Sequence, residues 1–312
     1  MKILLVTPKY LPYLCGNTFT AERISRGLKK LSLKVQIATP KDYEKIRRRF
    51  EPDIIHFFHA SKSYIENIDK PTIVTLTGTD VSKGLEDKSQ VAIMKKVLKR
   101  AKHVTGFHKH NITKALKKLK ITGKKTTVIH PAPYLQPTEF NFRNYLGLQE
   151  TDIVFLLPAS IRDIKDPLFA VEELAPLQAK NPNIKLIILG ETEDEELAQK
   201  IKAFGNWIMI TKVPHAYMQR AYEQSNIMLN TSKSEGFANS VIEVMSVNKL
   251  ILAADIPGNK TIPKKYLFKK KKGELMKLAK KYLKKQPTPK YAALPDMIAE
   301  AKLYRDIYER VI

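Results

Sequence analysis

Residues 227–247, IMLNTSKSEGFANSVIEVMSV, show the strand, loop and helix pattern that recurs along this chain. A short apolar run at 227–230 is followed by small polar residues with one glycine, and then by a segment of helical period at 239–247. Runs that are apolar on both faces belong to parallel sheets covered by helices. The stretch therefore predicts a buried β-strand, a polar loop and an α-helix.

The same alternation occurs in both halves of the sequence. Predicted strands in the first half lie at 3–7, 35–39, 54–58, 72–77, 103–107 and 126–130. Those in the second half lie at 153–158, 184–189, 207–211, 227–230 and 250–254. Parallel strands joined by crossover helices predict two doubly wound α/β domains, facing each other across a cleft.

The domain boundaries follow from composition. The stretch 131–149 contains prolines and has no strong period, so we expect the two domains to meet there. We assign residues 1–145 to an N-terminal Rossmann-like domain and 146–295 to a C-terminal one. Residues 296–312 are predicted to form a terminal helix that returns to the N-terminal domain.

Composition excludes several classes of protein. The 312 residues are 43% hydrophobic and 28% charged, which is typical of a globular chain and not of a disordered or fibrous one. The single cysteine, Cys15, excludes a disulfide framework. No apolar run reaches the length of a membrane span, and the first apolar run is too short for a signal peptide. We therefore expect a cytoplasmic protein.

The loop at 231–238 has the chemistry of a diphosphate site. Free backbone N–H groups and the helix dipole at the start of the following helix attract anions. Glu235 precedes that helix and Glu243 lies inside it, and carboxylates accept hydrogen bonds from the vicinal diols of sugars and ribose. The alternative is that Glu235 only interacts with the helix dipole and that Glu243 is a solvated helix residue.

A second loop, 159–167, follows the predicted strand at 153–158 and carries Arg162 and Lys165. A guanidinium together with an ammonium group suits a leaving diphosphate. On a chain this basic, two cations are informative only because they follow a strand, where ligands of open α/β sheets bind.

These motifs together resemble a known family. Two glutamates eight positions apart, with Gly-Phe after the first, resemble the E-x7-E motif of the retaining nucleotide-sugar glycosyltransferases with the GT-B fold. The loop with Arg162 and Lys165 resembles that family's R-x-x-K loop. The turn at 255–259 and the loop at 212–215 resemble further family loops, although Gly258 and Asn259 are equally well explained as a plain turn.

The resemblance implies a role for each matching residue. Arg162 and Lys165 would neutralise the donor diphosphate, Glu235 would orient sugar hydroxyls, and Glu243 would bind the ribose diol. The remaining expected donor-binding residues are Gly16, Asn17, Val213, Gly236, Phe237, Ala238 and Asn239.

In the first half, the resemblance implies an acceptor domain. Gly16 and Asn17 follow the first strand, and the segment 78–80 ends in Asp80. His59 and Asp80 are candidate catalytic groups at strand ends, each about equally well explained as structural, whereas His56 lies inside an apolar strand and is expected to be a core histidine. The combination resembles the short subgroup that contains animal glycosyltransferase-one-domain-containing proteins and bacterial selenosugar synthases.

The implied activity is transfer of a sugar from a UDP- or GDP-sugar to an unknown acceptor, with retention of anomeric configuration. The donor would be a substrate; neither a cofactor nor a metal ion is expected. Two alternatives remain: a GT-B protein that binds nucleotide sugar without turnover, and a basic module that binds a membrane surface or nucleic acid.

The positive charge has three possible explanations. The formal net charge is +24, with twelve Lys and Arg and no acid in 95–125, and thirteen Lys and one acid in 260–290. These runs could be solvated faces, or could attract anionic lipid at the inner face of the membrane. Nucleic acid is the less favoured partner, because few aromatic residues accompany the lysines.

Overall fold

The computed structural model describes residues 1–10 and 16–312, so Cys15 lies outside the described residues. The described chain divides into two compact units. Unit 1 comprises Met1–Tyr134, Gly236–Asn239 and Leu294–Ile312, and unit 2 comprises Leu135–Glu235 and Ser240–Ala293. The division after Tyr134 falls within the stretch 131–149.

Each unit contains one parallel six-stranded sheet within the described residues. The strands of unit 1 are β1 Lys2–Val6, β2 Lys34–Ala38, β3 Ile54–Phe58, β4 Thr72–Leu76, β5 His103–Gly106 and β6 Thr126–Val128. Those of unit 2 are β7 Ile153–Leu157, β8 Ile184–Leu189, β9 Ile208–Thr211, β10 Ile227–Asn230, β11 Ile251–Ala254 and β12 Leu267–Phe268. The apolar runs predicted eleven of these strands to within a few residues, and β12 was missed.

The helices alternate with the strands. They are α1 Gly16–Lys30, α2 Tyr43–Phe50, α3 Lys88–Arg100, α4 Lys109–Leu119, α5 Phe142–Tyr145, α6 Pro167–Gln178, α7 Glu195–Lys202, α8 Met218–Glu223, α9 Asn239–Ser246, α10 Glu274–Lys284 and α11 Met297–Val311. Helices α2, α5 and α10 were not predicted.

The sheet of unit 1 is covered on both faces, as a doubly wound sheet must be. Alternate residues of each strand belong to different core clusters: Leu4 and Ile55 to one, Ile3 and Ile54 to the other. Helix α11 contributes Tyr304 to the second cluster, although the residues of unit 2 lie between it and the strands of unit 1 in sequence.

A buried ion pair joins α1 to α11. The guanidinium of Arg23 donates to both carboxylate oxygens of Glu300, at 2.7 and 3.0 Å, and neither side chain is more than 1% exposed. The backbone N–H of Ala132 donates to the same carboxylate at 3.0 Å. Since removing one partner leaves an uncompensated buried charge, this pair fixes α11 on unit 1.

His56 is a core histidine, as expected from its place in an apolar strand. Its ring nitrogens are hydrogen-bonded to Tyr308 at 2.7 Å and to Thr75 at 2.6 Å. Complete burial lowers the pKa of His56 to about 3. The neutral ring therefore serves the packing of α11 against the sheet.

Strand order decides where each unit can bind a ligand. Unit 2 has the order β12-β11-β10-β7-β8-β9, and unit 1 the order β2-β1-β3-β4-β5-β6. Ligands of open α/β sheets bind beyond the carboxyl ends of the strands, where the order reverses. That point lies between β7 and β10 in unit 2, and between β1 and β3 in unit 1.

Candidate functional site

The two loops at the switch point of unit 2 are tied together. The carboxylate of Glu235, after β10, forms an ion pair with the ammonium group of Lys165, after β7. Ser232 Oγ donates to the same carboxylate oxygen at 2.6 Å. The side chains of Lys165 and Glu235 are only 19% and 10% exposed. Lys165 and Glu235, each more than eighty per cent buried, thus form an ion pair at the switch point, where the topology predicts a ligand.

Backbone contacts fix the geometry of this pair. Thr231 Oγ1 donates to the carbonyl of Lys165 at 3.0 Å, and the N–H of Lys233 donates to the carbonyl of Ile164 at 2.9 Å. These bonds hold the loop after β7 against the loop after β10. The ion pair is therefore set by the fold before any ligand arrives.

Arg162 contacts an acid outside the Lys165–Glu235 pair, and its role in a two-cation clamp stays a prediction. Its guanidinium lies 3.6 Å from the Glu193 carboxylate, and its side chain is 39% exposed. Among the described residues, its side chain makes no hydrogen bond or ion pair with Lys165 or Glu235, and its Nε atom is buried without a partner. The structure thus joins Lys165 to Glu235 but does not join Arg162 to either.

Glu243 is a buried acceptor on α9, which excludes the alternative that it is a solvated helix residue. It is 4% exposed and accepts a hydrogen bond from the hydroxyl of Tyr222 at 2.8 Å. His215 Nε2 lies 3.0 Å from its other oxygen. Burial, and then the charge of Glu243, raises the pKa of Tyr222, so the phenol stays a donor.

His215 comes from the loop after β9 that carries Val213, which is half-buried. The loop expected to lie near the nucleobase is therefore connected through His215 to the carboxylate expected to bind the ribose. The position of His215 after a strand was a usable sequence signal. Nothing in the sequence indicated Tyr222 or Ser232.

The turn after β11 packs against Glu235. A Cβ atom on Gly258 would come within 2.5 Å of the Glu235 carbonyl oxygen, so only glycine fits there. Asn259 is fully buried and donates to the Ala254 carbonyl at 2.9 Å and to Asn230 at 3.1 Å. The turn therefore packs against Glu235 and restricts the position of its backbone.

In unit 1, Asp80 holds its own loop. Its two carboxylate oxygens accept backbone N–H groups from Thr77, Gly78, Val81 and Ala60, at 2.7–3.2 Å. The residue is fully buried. This geometry is that of a group that orders the segment after β4, and the catalytic role stays a prediction.

His59 is similarly occupied. It follows β3 with a φ of +82° and is 1% exposed. Its Nδ1 accepts the N–H of Lys62 at 3.2 Å, which leaves Nε2 to donate to Thr79 Oγ1 at 3.0 Å. Burial lowers its pKa, although the charge of Asp80 acts in the opposite sense. Its role as a base also stays a prediction.

The segment Gly236–Asn239 belongs to unit 1 by its contacts. A Cβ atom on Gly236 would come within 2.4 Å of the Gly78 Cα, and the Phe237 ring stacks on His108 at 4.8 Å. Ala238 is buried, and Asn239 donates to the Gly16 carbonyl at 3.2 Å. His108 was not among the predicted site residues, although it also follows a strand.

Asn17 lies in the first turn of α1 and is half-buried, next to the exposed Gly16. Among the described residues, no helix combines the length and apolarity that a membrane crossing requires. Within the same ranges, His, Cys, Asp and Glu side chains do not gather in groups of three that could hold a metal ion.

Comparison with known proteins agrees with this architecture. The family Glycosyl transferases group 1 matches residues 138–294, half of the chain. A Xenopus tropicalis protein, glycosyltransferase 1 domain-containing protein 1, is 29% identical over 203 residues. The match covers 60% of this chain but 57% of that relative's length.

Solved structures share the fold across the whole chain. Sucrose-phosphate synthase from Thermosynechococcus elongatus has a TM-score of 0.80 at 14% identity, covering 99% of this chain and 98% of that one. Anabaena Alr3699/HepE in complex with UDP and glucose has a TM-score of 0.77 at 15% identity, covering 99% of each chain. The fold is therefore GT-B, and the chain belongs to the Glycosyl transferases group 1 family, as its E-x7-E motif predicted.

Proposed function

We propose that this protein transfers a glycosyl group from a nucleoside diphosphate sugar to an acceptor with retention of anomeric configuration. The observation that carries the proposal is the buried pair of Lys165 and Glu235 at the switch point of unit 2. A UDP-sugar is the first donor to test, because a structure of similar fold holds UDP and glucose.

Lys165 is proposed to bind the donor diphosphate. Its ammonium group is held by Glu235 between the loops that follow β7 and β10. Charge-assisted hydrogen bonds of this kind stabilise the negative charge that grows on the leaving group. Arg162, whose guanidinium contacts Glu193, is the weaker candidate for the same task.

Glu235 is proposed to orient the sugar. Lys165 and Ser232 both bond the Oε1 atom, so the Oε2 atom keeps its lone pairs for sugar hydroxyls. The turn at Gly258 prevents this residue from shifting backwards.

Glu243 is proposed to bind the ribose diol. Tyr222 and His215 each occupy one of its oxygens, and a carboxylate offers about four lone-pair sites, so two remain for the diol. Val213, on the same loop as His215, is proposed to contact the nucleobase.

In the proposed reaction, the bond between the anomeric carbon and the diphosphate oxygen breaks, and the acceptor oxygen bonds to the same face of that carbon. The acceptor proton passes to the departing diphosphate. This route needs no strongly basic side chain, which is consistent with the occupied hydrogen bonds of His59 and Asp80. Lys165 supplies positive charge, so we expect transfer to continue in the presence of a metal chelator.

We further propose a cytoplasmic location, where the single thiol would stay reduced. The acceptor would have to be identified by screening.

The test is a thermal-shift panel of nucleoside diphosphates and their sugars. A ligand at about a hundred times its Kd stabilises the folded state by about 2.7 kcal/mol, a measurable rise in Tm. We expect one nucleotide class to give this rise in the native protein and in Lys200→Ala, a control whose exposed lysine pairs with Glu196. The rise should vanish in Lys165→Ala.

If no nucleoside diphosphate raises the Tm, the donor assignment is wrong. If UDP-sugars bind but are neither hydrolysed nor transferred, and Glu235→Gln changes nothing, the protein is a binding protein without turnover.

A further inference from the structure

A cluster of cations lies at the edge of unit 1 opposite to the carboxyl ends of its strands. Helix α3 ends at Arg100, and β5 and β6 begin at His103 and Thr126. In a right-handed βαβ unit the helix ends where the next strand begins, so these points share one edge. We call the cations there the basic edge: Lys70, Lys99, Arg100, Lys102, Lys124 and Lys125.

Contacts confirm that these residues are neighbours. Lys124 Nζ donates to the carbonyls of Lys99 and Ala101, at 2.9 and 2.7 Å. Burial and the nearby charge of Lys102 lower the pKa of Lys124. Arg100 donates to the carbonyl of Ile68 at 3.0 Å.

The basic edge carries uncompensated charge. Within residues 1–10 and 16–312, none of its six members forms an ion pair with an acid. Two acids close to Lys70 in sequence already have cations: Asp69 lies 3.8 Å from Arg47, and Glu66 lies 3.0 Å from Lys96. An anion that arrives from solution therefore meets positive charge that the protein itself does not neutralise.

An apolar cavity opens beside these cations. It has a volume of about 330 Å³, and its walls include Tyr64, Ile65, Ile68 and Val97. The charged residues that line it are Asp69, Lys70, Arg100 and Lys102. Lysines that are merely solvated need no apolar cavity beside them. Apolar walls next to cations therefore indicate an amphiphilic ligand, with an apolar part for the cavity and an anionic part for the cations.

We propose that this edge of unit 1 binds the surface of a bilayer that contains anionic phospholipids. The lipid phosphates lie against the basic edge, and the apolar part of one lipid enters the cavity. Basic residues near an anionic leaflet contribute additively to such binding. Nucleic acid fits less well, because its bases would need an open aromatic ring on which to stack. Tyr64, the half-buried aromatic ring at the cavity wall, is already covered by the Lys96 ammonium group, which lies 5.4 Å from the ring centroid.

The experiment is co-sedimentation of the full chain with two kinds of vesicle: phosphatidylcholine alone, and phosphatidylcholine mixed with phosphatidylglycerol. We expect binding to the mixed vesicles only, weakening as salt is raised. The triple variant Lys70→Glu, Lys99→Glu, Lys102→Glu should lower the partition coefficient at least about tenfold.

The matched control is the triple variant Lys277→Glu, Lys280→Glu, Lys284→Glu on α10. It makes the same change in net charge, at exposed lysines that have no ion pairs within the described structure. We expect this control to bind the mixed vesicles within about twofold of the native protein. Ile68→Asn, which changes no charge, should weaken binding through the cavity alone.

Equal losses in the two triple variants would show that net charge alone attracts the protein, and the proposal would be wrong. Binding to RNA but not to the mixed vesicles would overturn it too. Folding is checked by the Tm of each variant, and nucleotide binding by its thermal shift, so failure here is separable from failure of the proposed transferase activity.

Discussion

The loops that follow parallel strands in the two units use their carboxylates in opposite ways. In unit 2, Glu235 is bonded by side chains, keeps one oxygen available, and is 10% exposed. In unit 1, the fully buried Asp80 gives both oxygens to backbone N–H groups. A polar residue after a parallel strand is therefore a candidate ligand group only when its lone pairs are not already used by the fold.

The largest expected effect concerns turnover in unit 2. Glu235→Gln removes the charge that pairs with Lys165 and replaces one of the two acceptor oxygens with an amide donor. We expect kcat to fall by about 10²–10³, the usual result of removing one preorganised electrostatic group. The free energy of unfolding should fall by about 1–3 kcal/mol, because the mostly buried Lys165 ammonium group loses its charged partner.

The check is steady-state kinetics with the donor found in the thermal-shift panel, beside urea denaturation of the same variant. If the variant is strongly destabilised but its kcat is unchanged, Glu235 has a structural role like that of Asp80.

The next largest effect concerns stability in unit 1. Asp80→Asn replaces an acceptor of backbone N–H groups with a donor that opposes them. We expect a loss of about 3 kcal/mol in the free energy of unfolding, because buried donors are left unsatisfied. Urea denaturation measures it, and Asp87→Asn, at the exposed N-cap of α3, is the milder control. An unchanged stability with lost turnover would restore Asp80 as a catalytic residue.

Acid should destabilise unit 1 through His56. Burial lowers the pKa of His56 to about 3, whereas in the unfolded chain it stays near its ordinary value of 6.5. Below pH 6.5 the unfolded state binds the proton and the folded state does not, so stability falls as pH falls from 6.5 towards 3. The contribution is about 1.4 kcal/mol per pH unit.

Denaturation at a series of pH values measures this slope. His110→Gln, at an exposed histidine, should keep it, whereas a slope that is absent below pH 6.5 would contradict the buried, neutral state of His56.

A smaller effect tests how Glu243 is positioned. Tyr222→Phe removes the hydroxyl that donates to its carboxylate, so the residue is expected to bind the ribose less well. We predict that KM for the donor rises about tenfold with kcat nearly unchanged, since one hydrogen bond to a charged group is lost. Tyr217→Phe is the control, because that ring stacks on Phe140 at 4.1 Å instead. Equal KM values in Tyr222→Phe and the native protein would mean that Tyr222 contributes to packing and does not position Glu243.

The smallest contrast compares two glycines of unit 2. A Cβ atom on Gly258 would press on Glu235, whereas one on Gly147 would meet nothing within 4 Å among the described residues. Gly258→Ala should lower donor affinity several-fold, by about 1 kcal/mol, and Gly147→Ala should leave donor affinity unchanged. Thermal shift with the donor measures both, and similar shifts in the two variants would remove the support that we assign to the turn.

The comparison also shows how far sequence patterns reach. The strands were predicted because each is a short apolar run that must be buried. Helix α2 was missed because its sequence is mostly charged and only Tyr43 is buried, so it has almost no apolar face. Helix α10 lies in a lysine-rich run whose charge hides the buried Leu275 and Ala279.

The candidate site was predicted unevenly for a related reason. Lys165 and Glu235 were found because each follows a strand next to a diagnostic residue spacing. Whether Arg162 faces Lys165 or Glu193 depends on side-chain contacts between residues far apart in the chain, which spacing does not encode. The bond between Tyr222 and Glu243, 21 positions apart, is of the same kind.

The sequence by itself determined the two sets of strands and helices and which loop follows each strand, because apolar periodicity and loop chemistry are local properties. Only the tertiary structure decided that β7 lies beside β10, and so brings Lys165 to Glu235. It also decided that Asp80 is used by backbone N–H groups, while the Oε2 atom of Glu235 has no hydrogen-bond partner among the described residues. Such partnerships depend on which groups the packed chain brings within hydrogen-bonding distance.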